Sequence, residues 1–227
     1  VDVRDGKLLL RLAQNTEQNR KRFSKSRDKL KITVYGGQLT SLEMMTACTF
    51  YAAQLEATQL SLANSGASII NVGRLVAQQL TLSCSGASST RLGGSVGKLT
   101  MSITGAANLG AQDLVAQELK AEMKGSTLGK LAVQGSAKVD VSGASSLTLS
   151  GTADLFTINC VGASSVKAAA LKAQNVVVEV SGASNVKCYA ERSIKGIVSN
   201  GSLTYGGHPT SFNVERKNTT ASIKAVD

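Results

Sequence analysis

Ser181-Gly182-Ala183-Ser184 is the stretch that decides the fold, because it returns as Ser65-Gly66-Ala67-Ser68, Ser85-Gly86-Ala87-Ser88 and Ser142-Gly143-Ala144-Ser145. Aligning these turns places Gly66, Gly86, Gly105, Gly125, Gly143, Gly162, Gly182 and Gly201 in one slot, with Thr46 and Thr220 in the same slot at the two ends. Successive slots lie 18 to 20 residues apart. Self-similarity at so short a period marks a solenoid, in which a repeat buries its apolar face only by stacking on its neighbours. The ten registers predict one solenoid.

A leucine-rich horseshoe and an all-β coil both fit that period, and the alternation around the Gly chooses between them. Six residues before it stand Leu60, Leu80, Leu99, Leu119, Phe156 and Val176. Four before it come Leu62, Leu82, Met101, Val139, Ile158 and Val178, and two before it Cys84, Ile103, Met123, Val141, Cys160 and Val180. Steps of two place all of them on one side of a strand. A second strand follows the turn, with Ile70, Leu109, Leu147, Val166 and Val186 four residues on and Val72, Leu92, Leu131, Leu149 and Cys188 six on. The Gly then reads as a sharp corner with no room for a Cβ, and the following Ala and Ser keep that corner thin. Parallel strands usually need a crossover helix, for which these coils are too short. The expectation is therefore an all-β, right-handed, single-stranded parallel β-helix of about ten coils. At ~4.8 Å per coil it forms a rod about 45 Å long.

Composition agrees, since 42% hydrophobic residues, 22 Gly and no Trp suit slim coils with small interior side chains. One domain accounts for 1–227: a cap and basic loop over 1–30, coils over 30–220 and a terminal end over 221–227. No run of about 18 apolar residues occurs, so no membrane-crossing helix is expected. A start at Val1 is compatible with a removed signal peptide.

Residues 1–31 hold 10 Lys and Arg against 4 Asp and Glu, a net of +6 out of the total +10. Val1, Val3, Leu8, Leu10 and Leu12 alternate, which predicts strands capping the coil stack. Arg20, Lys21, Arg22, Lys25, Arg27 and Lys29 then read as a solvated basic loop. Leu30, Ile32 and Val34 lead into the first coil, and Tyr205-Gly206-Gly207-His208-Pro209 interrupts the last ones.

Ser142-Gly143-Ala144-Ser145, Ser181-Gly182-Ala183-Ser184-Asn185-Val186-Lys187 and the closing Tyr205, Gly207, Pro209 pattern resemble the bacterial auto-transporter adhesin family known as the head GIN domain. The resemblance covers nearly the whole chain. It implies a right-handed parallel β-helix, export in a Gram-negative bacterium and frequent tethering as a lipoprotein, and it brings no catalytic residues. Lys124-Gly125-Ser126-Thr127, Val161-Gly162 and the two Thr-bearing end turns depart from the pattern.

Two outward columns are the candidate sites. Three residues before the Gly come Glu122, Asp140, Asn159 and Glu179, stacked about 5 Å apart. Carboxylates at that separation are what a retaining glycosidase uses, and stacked oxygens also suit Ca²⁺. Lys120, Lys124 and Lys138 beside them predict instead a self-compensated surface ladder. Five residues after the Gly stand Arg91, Lys130, Lys167 and Lys187, a discontinuous basic stripe suited to anionic glycan or lipid headgroups. Nucleic acid is not expected, because single-strand binders interleave cations with stacking aromatics and this chain has only 4 Phe and 4 Tyr.

The remaining motifs carry no chemistry. Ser164-x-x-Lys167 and Ser184-x-x-Lys187 match a nucleophile motif whose Ser and Lys share a helical turn, whereas here they lie along a corner and strand. No cysteine stacks directly on another, since Cys84 and Cys160 share a column but stand four coils apart, about 19 Å, and Cys48 and Cys188 fall at other offsets, so four buried free thiols are expected and no disulfide. Without C-x-x-C, and with His208 the single histidine, neither zinc nor a Ser-His-Asp set is expected. The expected function is a non-catalytic exported surface protein without cofactor, binding glycan or another cell-surface component, held to membrane only through a lipid tether and able to self-associate. A polysaccharide-active enzyme is the rival reading, by analogy of fold alone.

Overall fold

A computed structural model describes residues 2–4, 7–9 and 38–226. The N-terminal unit contributes two strands, β1 (Asp2–Arg4) and β2 (Lys7–Leu9), paired antiparallel with Val3 opposite Leu8. The strands expected near Val3 and Leu8 are therefore present. The basic loop from Asn15 to Lys31 and the entry strand at Leu30–Val34 lie outside the described residues.

Residues 38–226 contain no helix. They form a parallel β-solenoid of about ten turns, in which almost every coil is one long bent strand. β3 (Ser41–Met44) opens it. β4 (Thr49–Asn64), β5 (Ile69–Cys84), β6 (Ser89–Ile103) and β7 (Asn108–Met123) follow. β8 (Leu128–Val141), β9 (Ser146–Cys160), β10 (Ser165–Val180) and β11 (Asn185–Val198) continue the stack. β12 (Ser202–Gly206), β13 (Ser211–Arg216) and β14 (Ser222–Ala225) close it. Each strand pairs in parallel with the next, and the register matches equal offsets: Leu62 opposite Leu82, Leu82 opposite Met101, Val178 opposite Ile158.

The coils have three sides, one more than the alternation foretold. In β5, Ile70, Val72, Leu75, Ala77, Leu80, Leu82 and Cys84 are buried, and the alternation breaks twice where Gly73-Arg74 and Gln78-Gln79 both point out. A pleated strand can place two successive side chains outward only by bending. With the Gly corner, those bends make three sides. The extra side, carrying Leu75 and Ala77, holds only two inward residues. Coils of 18 residues lose theirs at these bends, where β7 and β8 slip register between Ala111 and Val115.

The corner glycines have two independent reasons to be glycine. Gly66, Gly86, Gly105, Gly125, Gly143, Gly162 and Gly182 all adopt φ between +69° and +95°. A Cβ on Gly143 would also meet the carbonyl oxygen of Gly125 at 2.6 Å, and the same conflict recurs along the row. Thr46 holds φ +70° in this slot. It belongs to the first described coil, so no described corner lies under its Cβ.

The last residue of the turn motif has its own task. Ser68, Ser88, Ser145, Ser164 and Ser184 are buried. The Ser184 hydroxyl lies 2.7 Å from the Ser181 carbonyl and 3.1 Å from that of Gly162 in the preceding coil. Ser164 does the same with Val161 and Gly143. The Ser164 and Ser184 hydroxyls thus fasten their corners to themselves and to the preceding coil, which gives these buried hydroxyls their partners. Ser88 Oγ is the one buried side-chain oxygen among the described residues with no partner.

Gly201 and Thr220 do not occupy the corner slot. Ser199 N donates to Val180 O and Ser202 N to Ser184 O, so only Asn200 and Gly201 span what Gly182, Ala183 and Ser184 span one coil earlier. Gly201 takes the buried serine position without left-handed φ, and a Cβ there would stand 2.4 Å from Val180 Cγ1. In the next corner Ala221 fills that position, 0% exposed. Thr220 Oγ1 donates to Asn200 Oδ1 at 2.9 Å.

Candidate functional site

The basic stripe is longer and more regular than its sequence offsets indicated. Strand register aligns Arg91, Gly110, Lys130, Thr148, Lys167, Lys187, Thr204 and Lys224 into one continuous column. All five cations are exposed. Arg91, Lys130, Lys167 and Lys187 are thus brought onto one side, and Lys224 joins them unforeseen. The shortened corner at Asn200 shifts the offsets, so counting from Gly201 and Thr220 points to the wrong residues. Beside this column runs another that is rich in small polar groups, including Asn108, Ser146, Ser165, Asn185 and Ser202. Neither column contains an Asp or Glu. Among the described residues the ion pairs are Lys98–Glu118 and Lys124–Glu122, both on other sides of the coil.

That side accounts for the whole positive excess of the coils. Residues 38–227 contain 15 Lys and Arg and 11 Asp and Glu, a net of +4, and without the five column cations they would net −1. Uncompensated like charges on neighbouring strands repel one another, so the stack carries this column at some expense of stability.

Glu122, Asp140, Asn159 and Glu179 also align as expected, each opposite the next in the strand ladder. Their surroundings compensate them. Lys124 Nζ lies 2.5 Å from Glu122 Oε1 and, by that bond and its charge, holds the Glu122 carboxyl below its ordinary range. Asn159 Nδ2 donates to Asp140 Oδ1 at 3.3 Å. A general acid needs its pKa raised, and Glu122 is moved the other way. Among the described residues no group of three or more His, Cys, Asp or Glu converges as metal ligands would.

A shallow open depression of about 590 Å³ on the same side is lined by residues including Leu155, Asn175, Val177, Ser193 and Lys195. Sequence offsets missed it because it straddles a bend. The Asn175 amide is occupied internally, its Nδ2 donating to Asp154 O and its Oδ1 accepting from Ser193 Oγ.

Cys84, Cys160 and Cys188 are buried free thiols, whereas Cys48 is exposed, contrary to expectation. The offset that buries Ser68 one coil later leaves Cys48 open at the first described corner. Burial pushes the Cys160 thiol up to about 11 and the Cys188 thiol to about 12. His208 is exposed near the stacked rings of Tyr205 and Phe212, whose centroids are 5.0 Å apart.

Comparison with known families gives a match to one described as "Putative auto-transporter adhesin, head GIN domain", over residues 1–147 and 134–209. The chain belongs to the head GIN domain family. The family's description is that of an adhesin-like protein exported or displayed at the cell surface. A comparison with proteins of curated function found no match. In this head GIN domain the resemblance read from the turn motif and the closing Tyr-x-Gly-x-Pro stretch is thereby shown. Its uniform side is the basic column, since the turn departures at Gly125 and Gly162 leave the column's register intact.

Proposed function

We propose that this head GIN domain is a non-catalytic adhesin. It is exported to the outer surface or periplasm of a Gram-negative bacterium, anchored by a lipid tether outside the sequence given, and binds an anionic glycan or other surface component. The observation that carries this reading is the side bearing Arg91, Lys130, Lys167, Lys187 and Lys224, with no acidic residue in its two columns. Cations that form no ion pair among the described residues raise the local concentration of anions and select partners by charge. The ion pair of Glu122 with Lys124 supports a binding role over hydrolysis, because it holds that carboxyl below its ordinary range and a general acid needs the reverse.

The test is a glycan and cell-binding array run with the full chain, together with release of reducing ends from the same polysaccharides. Retention on anionic members without release of reducing ends is expected. Turnover of any polysaccharide, or equal retention on neutral and anionic members, refutes the reading.

A further inference from the structure

Resting on that reading, we infer that the occupant of the basic side is a linear acidic polysaccharide carrying one negative charge per disaccharide, laid along the rod axis across the strands. The spacing of the cations carries this. Arg91 and Lys130 are two strands apart with Gly110 between them, Lys130 and Lys167 two apart with Thr148 between them, and Lys187 and Lys224 two apart with Thr204 between them. With strands ~4.8 Å apart, the charges recur at about 10 Å, and seven strand steps from Arg91 to Lys224 span about 34 Å. Lys167 and Lys187 sit on adjacent strands, where both can face a single carboxylate.

An extended polysaccharide advances roughly one sugar per strand spacing, so from Arg91 to Lys167 a carboxylate on every second sugar meets a cation while the intervening sugar passes over Gly or Thr, and the next carboxylate falls over Thr204, one strand from both Lys187 and Lys224. The parallel column supplies what the hydroxyls of such a chain need. Ser146, Ser165, Asn185 and Ser202 provide hydroxyl and amide groups, each of which both donates and accepts. A bilayer demands something different. Surfaces that hold membranes pair cations with a band of insertable apolar side chains. Here the exposed apolar residues of these columns, Tyr51, Ile69 and Leu128, are scattered over separate coils, with Leu128 mid-stack, and form no band. Single-stranded nucleic acid would need repeated stacking platforms, and Tyr51 is the one aromatic ring in the two columns.

The experiment uses the full chain and measures affinity for hyaluronan oligosaccharides (one carboxylate per disaccharide), polygalacturonate (one per sugar), neutral dextran and mixed phosphatidylcholine and phosphatidylglycerol vesicles. Hyaluronan is expected to bind best, and its affinity to rise with oligomer length until the chain spans about 34 Å, then level off. Lys130→Glu, Lys167→Glu and Lys187→Glu together should weaken it about tenfold or more. Lys120→Glu, Lys138→Glu and Lys195→Glu reverse the same number of charges on another side and should leave it within about twofold. Thr148→Lys closes one gap and should shift preference toward polygalacturonate. All these positions are at least partly exposed on strands, and unchanged melting temperatures will exclude misfolding. Polygalacturonate or vesicles binding as well as hyaluronan, or equal losses in the two triple variants, overturns the inference while leaving an anionic-surface adhesin. Binding to no polyanion and no cell surface overturns that broader reading itself.

Discussion

Replacing Gly143 by Ala tests the corner reasoning most directly. Gly143 sits mid-stack at φ +79°, and an added Cβ would approach Gly125 O at 2.6 Å, N at 2.9 Å and Cα at 3.2 Å. All three are main-chain atoms that cannot rotate away, and Gly125 O is held by the hydrogen bond it accepts from Ala144 N of the next coil. Holding an L-residue in left-handed φ costs about 1–2 kcal/mol. Forcing extra volume into a close-packed contact costs a further ~1–3 kcal/mol. Gly143→Ala should therefore destabilise the coils by about 2–5 kcal/mol, lowering the melting temperature by roughly 4–20 °C for a domain of this size. Gly110→Ala is the matched control. That glycine has no left-handed φ, and the nearest atom to its would-be Cβ is the flexible Gln112 Oε1 at 3.8 Å. It should stay within about 1 kcal/mol of the wild type, on the stabilising side. Thermal and urea unfolding followed by circular dichroism measures both. If the two variants melt together, the corner's backward steric contact is not what selects glycine there.

The other predictions concern the interior. Ser184→Ala removes a hydroxyl shared by two carbonyls and should cost about 1 kcal/mol, whereas Ser88→Ala removes a buried hydroxyl with no partner and should be neutral or stabilising. The opposite ranking in urea melts would refute the fastening role of the serine row. Native protein at pH 8 should yield one fast thiol with a disulfide reagent, lost in Cys48→Ser, and three more only in denaturant. Cys160 and Cys188 titrate near 11 and 12 in the fold against an ordinary 9.0, so the folded state retains protons that the unfolded chain releases. The stability they contribute is complete below about pH 9 and falls as pH rises toward 12; Cys160→Val with Cys188→Val should flatten that alkaline decline in unfolding free energy measured against pH.

Coil count, corner position and interior columns were readable because a stacked repeat writes the same constraint at the same offset each time. Leu82, Met101 and Val178 could be assigned inward from spacing alone. The third side could not, since Leu75 and Ala77 form too short an alternation to stand out, and the outward pairs that bound it differ from coil to coil. Gly201 misled because it preserves the 19-residue spacing while occupying the serine position in a shortened corner. That displacement hid Thr204 and Lys224 from the basic column. The serine hydroxyls were read as merely small, because bonding to one's own turn and to the preceding coil leaves no trace in spacing. Cys48 was misassigned for a different reason: an offset that is interior in the middle of the stack is surface at the first described turn.

The steric demand at each corner points one way. Gly66 must lack a Cβ because Thr46 is already beneath it, Gly86 because Gly66 is, and so on to Gly182. The fit of each glycine corner is thus set by the corner translated before it, whereas interior groups such as Asn64, which donates to Ser89 and Thr90, are satisfied only when a later coil arrives. A polypeptide emerging amino end first, from a ribosome or from an export pore, can set its corners in the order they appear, each rung completed by the one that follows it.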